Sequence, residues 1–237
     1  KEEIESKDGH DIVTTIDINI QDVAENSLEE HLMMHNADHG CAVLMEVATG
    51  EIKAIANLKR NAEGNYVEDF NYVIAEATEP GSTFKMASML AALDDGLIDP
   101  EDSIFVGNGE RKYGQLTMED AHPPHFPKLS IQQAFETSSN VGISSAIVAR
   151  YSKNPQAFID KIKSFGLGTP LGLEIEGEGT PRIKNITAED WSGVSLPWMS
   201  IGYETKLTPL QILAFYNAIA NNGRMVRPHF VKEIQSH

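Results

Sequence analysis

Cysteine, basic residues and long apolar runs are all scarce in this sequence. One cysteine, Cys41, stands among 237 residues, so no disulfide can form within the chain. No apolar run approaches the roughly 18 residues that a membrane span requires, and no stretch has the features of a signal peptide. Lys and Arg number 19 against 35 Asp and Glu, and the net charge of −16 argues against nucleic acid or anionic lipid as a partner.

The remaining composition is that of a soluble globular protein, with 41% hydrophobic and 23% charged residues. A chain of this length can bury a sizeable core. It starts at Lys1 rather than at a methionine, so we interpret it as a fragment. We expect residues outside this sequence to determine the cellular localisation of the protein. No glycine-rich phosphate loop is present, and we expect no nucleotide and no other cofactor.

The pattern of apolar residues predicts a helix-rich α+β protein with few strands. We expect an amphipathic helix from Asp17, a hairpin over 41–57, and helices over 131–137, 141–151, 155–165 and from Thr208 to Asn221. Residues 59–68 are predicted to be an exposed loop, and residues 99–128, rich in Gly, Pro and His, to be irregular. The helix that starts near Ser82 is expected to bury Met86, Met89, Leu90 and Leu93.

The most informative segment is Pro80-Gly81-Ser82-Thr83-Phe84-Lys85, at the start of that helix. Ser82 and Lys85 are three residues apart, so they share one face of a helix. The unpaired N–H groups and the dipole at a helix N-terminus favour negative charge developing there. We predict that Ser82 is a nucleophile and that Lys85, made neutral by burial, is its base. Gly81 leaves room for a reacting carbonyl group beside the backbone.

A second motif, Ser138-Ser139-Asn140, lies between two predicted helices. Taken alone, such a triplet is typical of a cap or a turn. Together with the first motif it predicts a site in which Ser138 relays a proton toward a leaving amine. Asn140 would position the substrate through its amide, and Ser139 would join Gly81 in substrate binding.

These motifs resemble the transpeptidase domain of class B penicillin-binding proteins, specifically the cell-division type. The resemblance spans nearly the whole chain, and the motifs typical of this superfamily include both Ser-x-x-Lys and Ser-x-Asn. Further matching segments are Thr15-Ile16-Asp17 with Gln21, Ala48-Thr49-Gly50-Glu51-Ile52, and Gly202-Tyr203 followed by Thr208-Pro209-Leu210-Gln211. The resemblance implies the α+β fold shared with serine β-lactamases. It also implies one transpeptidase domain over 1–237, truncated at its C-terminal end, with an all-helical subdomain at roughly 82–165.

By this resemblance Ser82 is the acylated nucleophile, Lys85 its base, and the Ser82 N–H half of an oxyanion hole. The implied reaction cross-links peptidoglycan stem peptides in septal cell-wall synthesis. It attacks a D-Ala-D-Ala bond, releases D-alanine and transfers the acyl group to an amine, and β-lactams would acylate the same serine. The family also implies cell-division membrane proteins as partners, and a place on the extracytoplasmic (periplasmic) face of the membrane through an anchor absent from this sequence.

The sequence departs from the family at one point, because the third motif, Lys-Thr/Ser-Gly, is absent. In the family this motif lies on a strand downstream of the Thr-Pro-Leu-Gln helix, and this chain ends at His237. That strand supplies the second oxyanion N–H, so we expect this fragment to turn over little or no substrate. A sheet without it would have an open edge.

Two alternative interpretations stay open. A class D β-lactamase or a β-lactam sensor shares Ser-Thr-Phe-Lys, although such proteins usually carry an apolar residue at the position of Asn140. A non-catalytic scaffold for division partners is the other alternative, and the intact motif residues argue against it. We predict no metal site at His122 and His125, because no acidic or Cys partner has ligand spacing.

Overall fold

The structure, a computed structural model, describes residues 9–235, so the predicted domain limits at 1 and 237 lie outside the described residues. In chain order the strands and helices are β1 Asp11–Thr14, α1 Ile18–His35, β2 His39–Met45, β3 Ile52–Arg60, β4 Tyr66–Glu68, α2 Tyr72–Ala75, α3 Lys85–Asp94, β5 Ser103–Phe105, β6 Glu110–Tyr113, β7 Leu116–Glu119, β8 Lys128–Ser130, α4 Ile131–Glu136, α5 Asn140–Tyr151, α6 Pro155–Ser164, β9 Arg182–Ile183, α7 Ser195–Met199, β10 Thr205–Lys206, α8 Pro209–Ala220 and β11 Val231–Gln235. A 3-10 turn, Gly81–Phe84, leads directly into α3. Within the described range, no helix has the length and apolar character that crossing a membrane would need.

The chain forms two compact units. The first extends to Glu76 and also contains Pro170–Gly179 and the chain from Pro209 onward. The second contains Ala77–Thr169 and Thr180–Thr208. All six predicted site residues therefore belong to the second unit.

The first unit is built on an antiparallel sheet with the strand order β2-β3-β4, and β1 pairs separately with β11. The predicted hairpin over 41–57 is confirmed, with Cys41 opposite Asn57 and Leu44 opposite Ala54. Residues 59–68 are not simply a loop, since β3 extends to Arg60 and β4 pairs with it. The buried core of this unit comprises Ile52, Val73, Ile74, Leu210 and Phe230.

Helix α1 of the first unit begins where the sequence predicts. The Asp17 side chain accepts hydrogen bonds from the backbone N–H groups of Asn19 and Ile20, which satisfies two of the unpaired donors at the helix start. Gln21 then bonds β3 through both ends of its amide, donating to Ile55 O at 2.9 Å and accepting from Ile55 N at 2.8 Å. This paired contact fixes the helix against the sheet.

The second unit has a helical core formed by α3, α5 and α6, which pack against one another. Its fully buried side chains include Ala87, Ala91 and Ala92 of α3, Val141, Ile143 and Ile147 of α5, and Phe158, Ile159 and Ile162 of α6. The predicted helix starts are confirmed here, and Ser130 forms a capping box with Gln133 at the start of α4.

The prediction of an all-helical subdomain over 82–165 is wrong. Four short strands, β5 to β8, lie within it and form two antiparallel pairs, β5-β8 and β6-β7. Each strand is only three or four residues long, so apolar alternation is too brief to register in the sequence. Gly114, in the left-handed conformation at φ 58°, makes the turn of the β6-β7 hairpin.

The predicted buried face of α3 is also wrong. Met89 is buried, but Met86 and Leu90 are only half-buried and Leu93 is exposed. The buried face instead carries small residues and Lys85, and the Ser88 hydroxyl on that face donates to Ser200 O at 2.8 Å. Small side chains allow neighbouring helices to approach closely, so they are buried here in preference to larger apolar ones.

Candidate active site

Ser82 and Lys85 lie on one side of the 3-10 turn that opens α3. The backbone N–H of Lys85 donates to Ser82 O, an i to i+3 bond that places the two side chains almost directly above one another. Ser82 is exposed, whereas Lys85 is 2% exposed and is the largest fully buried side chain in the described part of the chain. An accessible hydroxyl next to a buried amine is the arrangement that the sequence predicts.

The Lys85 amine joins the two motifs. Its Nζ donates to Ser138 O at 2.6 Å and to Ser138 Oγ at 3.0 Å. Burial lowers the pKa of Lys85 from 10.5 to about 8, and the negative charge of Asp120 opposes part of this effect. With that pKa, about a tenth of the molecules carry a neutral Lys85 at pH 7, compared with about one in 3,000 for a lysine of ordinary pKa.

Ser138 adopts a conformation that few residues other than glycine adopt. Its φ is +53°, in the left-handed region, and its N–H donates to Phe135 O at 3.0 Å at the end of α4. A residue other than glycine in this region costs roughly 1–2 kcal/mol, and it persists where surrounding contacts fix it. Here the strained turn brings both the carbonyl and the hydroxyl of Ser138 to Lys85 Nζ.

Ser139, which the sequence predicts to bind substrate, has a side chain that is 3% exposed, and substrate binding by this residue stays a prediction. Ser139 is the N-cap of α5: its Oγ accepts from Gly142 N at 2.8 Å and donates to Asp120 Oδ2 at 2.8 Å. A Cβ added at Gly142 would lie 2.7 Å from the Cβ of Ala134, so α5 begins in a tightly packed place. The hydroxyl of Ser139 therefore has a structural role as the cap of α5.

Asn140 is half-buried and is held by the end of β7, where its Nδ2 donates to Glu119 O at 2.7 Å. Within the described residues the structure gives its side chain no other hydrogen bond. One amide N–H and the amide oxygen are therefore free to bind a substrate amide. Positioning of substrate by Asn140 stays a prediction.

Gly81 has open space beside it, and its position depends on Gly202, a glycine that enters the sequence argument only through the family resemblance. A Cβ at Gly81 would meet no atom within 4 Å. The Gly81 N–H donates to Gly202 O at 3.1 Å, and a Cβ at Gly202 would lie 2.0 Å from Gly81 O. Gly202 itself has a φ of +91°. Only glycine fits at this close approach, which fixes the backbone one residue before Ser82.

Asp120 is a second supporting residue that sequence reasoning misses. Its two carboxylate oxygens accept from Ser139 Oγ and from Val141 N, both at 2.8 Å, and its charge acts on Lys85. No local motif marks it, because its partners lie about twenty residues further along the chain. The sequence also contains no feature that distinguishes Asp120 from its acidic neighbour Glu119.

His122 and His125 line a cavity that also contacts Asp120, Gln133 and Ser139. In residues 9–235 no group of three or more His, Cys, Asp or Glu side chains is arranged to hold a metal ion. The two motifs bring together serine, lysine and asparagine side chains, an arrangement suited to acyl transfer through a serine ester.

Residues 40–237 match the family described as the penicillin binding protein transpeptidase domain. The chain belongs to this family. The predicted resemblance and the predicted α+β fold are therefore confirmed.

Several named relatives share this domain. The chain is 28% identical over 232 residues to the probable peptidoglycan D,D-transpeptidase PenA of Neisseria flavescens, covering 96% of the chain and 56% of that protein. It is 30% identical over 235 residues to the peptidoglycan D,D-transpeptidase FtsI of Escherichia coli K12, covering 97% of the chain and 38% of that protein. The chain thus spans between 38% and 56% of the length of these two relatives.

Solved structures show the same fold. Penicillin-binding protein 3 of Mycobacterium tuberculosis in complex with ampicillin superposes with a TM-score of 0.83 at 27% identity, covering 98% of this chain and 52% of that one. The same protein in complex with aztreonam gives a TM-score of 0.81 at 28% identity, covering 95% and 50%.

Proposed function

We propose that this chain is the acyl-transfer part of a peptidoglycan D,D-transpeptidase, with Ser82 as nucleophile. The observation that carries the proposal is the buried Lys85 amine, which contacts the second motif through Ser138 O and Ser138 Oγ and follows Ser82 by one turn. The relatives named peptidoglycan D,D-transpeptidases support the same reaction. The substrate class is a peptidoglycan stem peptide that ends in D-Ala-D-Ala.

In the first half-reaction, neutral Lys85 takes the proton of the Ser82 hydroxyl as Ser82 Oγ attacks the carbonyl carbon between the two D-alanines. The Ser82 ester bond forms, and the bond to the terminal D-alanine breaks. Ser138 Oγ, 3.0 Å from Lys85 Nζ, passes the proton to the leaving amine. Asn140 holds the substrate backbone through the free part of its amide.

In the second half-reaction, an amine from a neighbouring stem peptide attacks the Ser82 ester. The amine gives its proton back through Ser138 and Lys85, an amide cross-link forms, and the Ser82 hydroxyl is restored. A β-lactam enters the first half-reaction but keeps its leaving nitrogen attached after the ring opens. The acyl group then stays on Ser82, and we propose that β-lactams inhibit the protein in this way.

We further propose that the whole protein works on the extracytoplasmic face of the membrane, anchored there, together with membrane proteins of cell division. Its relationship to FtsI and to penicillin-binding protein 3 supports this setting. Asn140, at the position where a class D β-lactamase usually has an apolar residue, favours a transpeptidase over that alternative.

The test is the reaction of the chain with excess benzylpenicillin. Two quantities are monitored: the intact mass of the protein and the hydrolysis of the antibiotic. A transpeptidase is expected to take up one equivalent as a slowly hydrolysed adduct and then stop. The Ser82→Ala variant is expected to take up none, while Ser164→Ala, at an exposed serine of α6, behaves as the parent. Continuous hydrolysis would favour a β-lactamase. No reaction, either by the parent or by a chain extended through the Lys-Thr/Ser-Gly motif, would favour a scaffold.

A further inference from the structure

Residues at the end of one neighbouring strand, β7, form hydrogen bonds to the turn that contains the second motif. Glu119 and Asp120 follow each other at the end of β7, and each bonds a member of the motif. Glu119 O accepts from Asn140 Nδ2 at 2.7 Å, and Asp120 Oδ2 accepts from Ser139 Oγ at 2.8 Å. The second oxygen of Asp120 accepts from Val141 N at 2.8 Å. The carboxylate therefore spans the start of α5.

The position of Asp120 is itself fixed. Its N–H donates to Gly109 O at 2.8 Å, beside the β6-β7 pair in which Glu110 lies opposite Glu119. Gly109 has a φ of +87°, and a Cβ there would lie 2.9 Å from Pro124 Cδ and 3.3 Å from Asp120 Cβ. A larger residue at 109 would push the carboxylate away from Ser139. The β6-β7 hairpin and the Asp120 carboxylate together therefore hold the turn that contains Ser138 and Ser139.

The contacts of Asp120 also help to fix the conformation of Ser138. Ser138 immediately precedes the cap residue Ser139 and holds a left-handed φ of +53° while accepting both hydrogen bonds from Lys85 Nζ. A strained residue keeps its conformation only if the residues around it are fixed. On one side Ser138 is fixed by Phe135 O, and on the other by Ser139, whose hydroxyl bonds Asp120.

We propose that Asp120 is a positioning residue for the acylation of Ser82, a role that rests on the proposed function. By holding Ser139 Oγ and the Val141 N–H at once, its carboxylate fixes the turn that presents Ser138 to Lys85. Its carboxylate bonds Ser139 and Val141, and in this role it acts through the second motif.

The same carboxylate has an electrostatic effect that a purely structural support would lack. Among the charged side chains that the structure describes, Asp120 is the one whose charge acts on Lys85, and it raises the pKa of that amine against the larger effect of burial. His122 and His125 are the other titratable groups that line the cavity beside Asp120. Removal of the Asp120 charge is therefore expected to lower the pKa of Lys85 further.

The experiment compares the parent with Asp120→Asn, Asp120→Ala and the control Glu110→Gln. Glu110 is an exposed carboxylate of β6, so its variant removes one negative charge from the same hairpin without touching the turn. Two quantities are measured for each variant from about pH 7 to about pH 10, a range that spans the lowered pKa of Lys85. One is the rate constant of acylation by benzylpenicillin. The other is the titration midpoint of Lys85, followed by NMR of the carbon-13-labelled lysine Cε and assigned with Lys85→Met.

Asp120→Asn keeps an oxygen for Val141 N and is expected to shift the Lys85 midpoint to lower pH, together with the pH dependence of acylation. Asp120→Ala loses both contacts, and its acylation is expected to be about 10²-fold slower, the cost of a misplacement of about 1 Å. Glu110→Gln is expected to match the parent in both quantities. Acylation in both Asp120 variants at the parent rate would overturn the positioning role, as would a Lys85 midpoint that Asp120→Asn leaves unchanged.

The two measurements separate this role from the proposed function. A chain that benzylpenicillin does not acylate even when it is extended through the Lys-Thr/Ser-Gly motif would count against the proposed function, while the Lys85 midpoint would still test the coupling to Asp120. A parent that is acylated, with variants that match it, would count against Asp120 alone. Circular dichroism of each variant checks that it is folded.

Discussion

Lys85→Met removes the titrating group that the proposed chemistry needs, and it should change how stability depends on pH. At neutral pH the parent buries an ammonium group, because Lys85 is 2% exposed and is protonated in most molecules. Methionine has a similar length and carries no charge. The variant is therefore expected to lose acylation and also to lose the pH-dependent cost of burying a charge.

The sign and size of the effect follow from the two pKa values of Lys85. The folded chain releases the proton near pH 8 and the unfolded chain near 10.5, so the folded state binds fewer protons between these values. Stability of the parent therefore rises as the pH increases through about 8, and the cost of burying the charge is fully present below it. Linkage gives a gain of about 2 kcal/mol between about pH 7 and about pH 9.5.

The assay is urea unfolding of the parent and of Lys85→Met at both pH values, followed by circular dichroism. The control is Lys112→Met, which removes a positive charge from an exposed position in β6. The free energy of unfolding of the parent is expected to rise by about 2 kcal/mol relative to that of Lys85→Met at the higher pH, and the control should not reproduce this change. Parallel pH profiles for Lys85→Met and the parent would refute the reasoning that burial lowers the Lys85 pKa.

Other variants and conditions should give equally defined results. Gly202→Ala would place a Cβ 2.0 Å from Gly81 O, and acylation of Ser82 should be about 10²-fold slower; a parent-like rate would show that the Gly81 backbone is not held this way. Ser139→Ala should lower the free energy of unfolding by about 1 kcal/mol through loss of the α5 cap, as measured in urea. Ser138→Ala, at an exposed position, should slow acylation with little change in urea midpoint. The acylation rate of the parent should rise about tenfold from about pH 7 to about pH 9.5 as Lys85 loses its proton, and a flat profile would exclude Lys85 as the base.

The parts of the fold that the sequence predicts are those with a local signal. Asp17 and Ser130 cap helices through bonds to residues two or three positions ahead, so capping chemistry finds both starts. The hairpin over 41–57 is predicted because its strands are long enough to show a pattern. Strands β5 to β8 are missed because three or four residues do not establish alternation.

Burial on α3 shows why hydrophobicity alone misplaces a helix face. The larger apolar residues Met86 and Leu93 are left half-buried or exposed, while Ser88 and Lys85 are buried. A buried lysine runs against every apolar pattern, and its burial is what lowers its pKa toward a working range. The motif spacing predicts which residues act, and the tertiary packing determines their chemical state.

The supporting residues of the site could not be predicted because their partners are distant in the chain. Gly202 meets Gly81 across about 120 residues, and Asp120 meets Ser139 across 19. Neither contact produces a hydrophobic periodicity or a motif of fixed spacing in the sequence. The same reasoning applies to Ser139, since the sequence contains no signal that separates a capping hydroxyl from one that faces substrate.

The most direct test of the central claim is the position of the acyl group after reaction with benzylpenicillin. The reacted chain is digested, and the modified peptide is identified by mass spectrometry beside the Ser82→Ala variant. We predict that the adduct lies on Ser82 and is absent from the variant. An adduct on Ser138 or on any other residue, or equal labelling of Ser82→Ala, would contradict the assignment of Ser82 as the nucleophile.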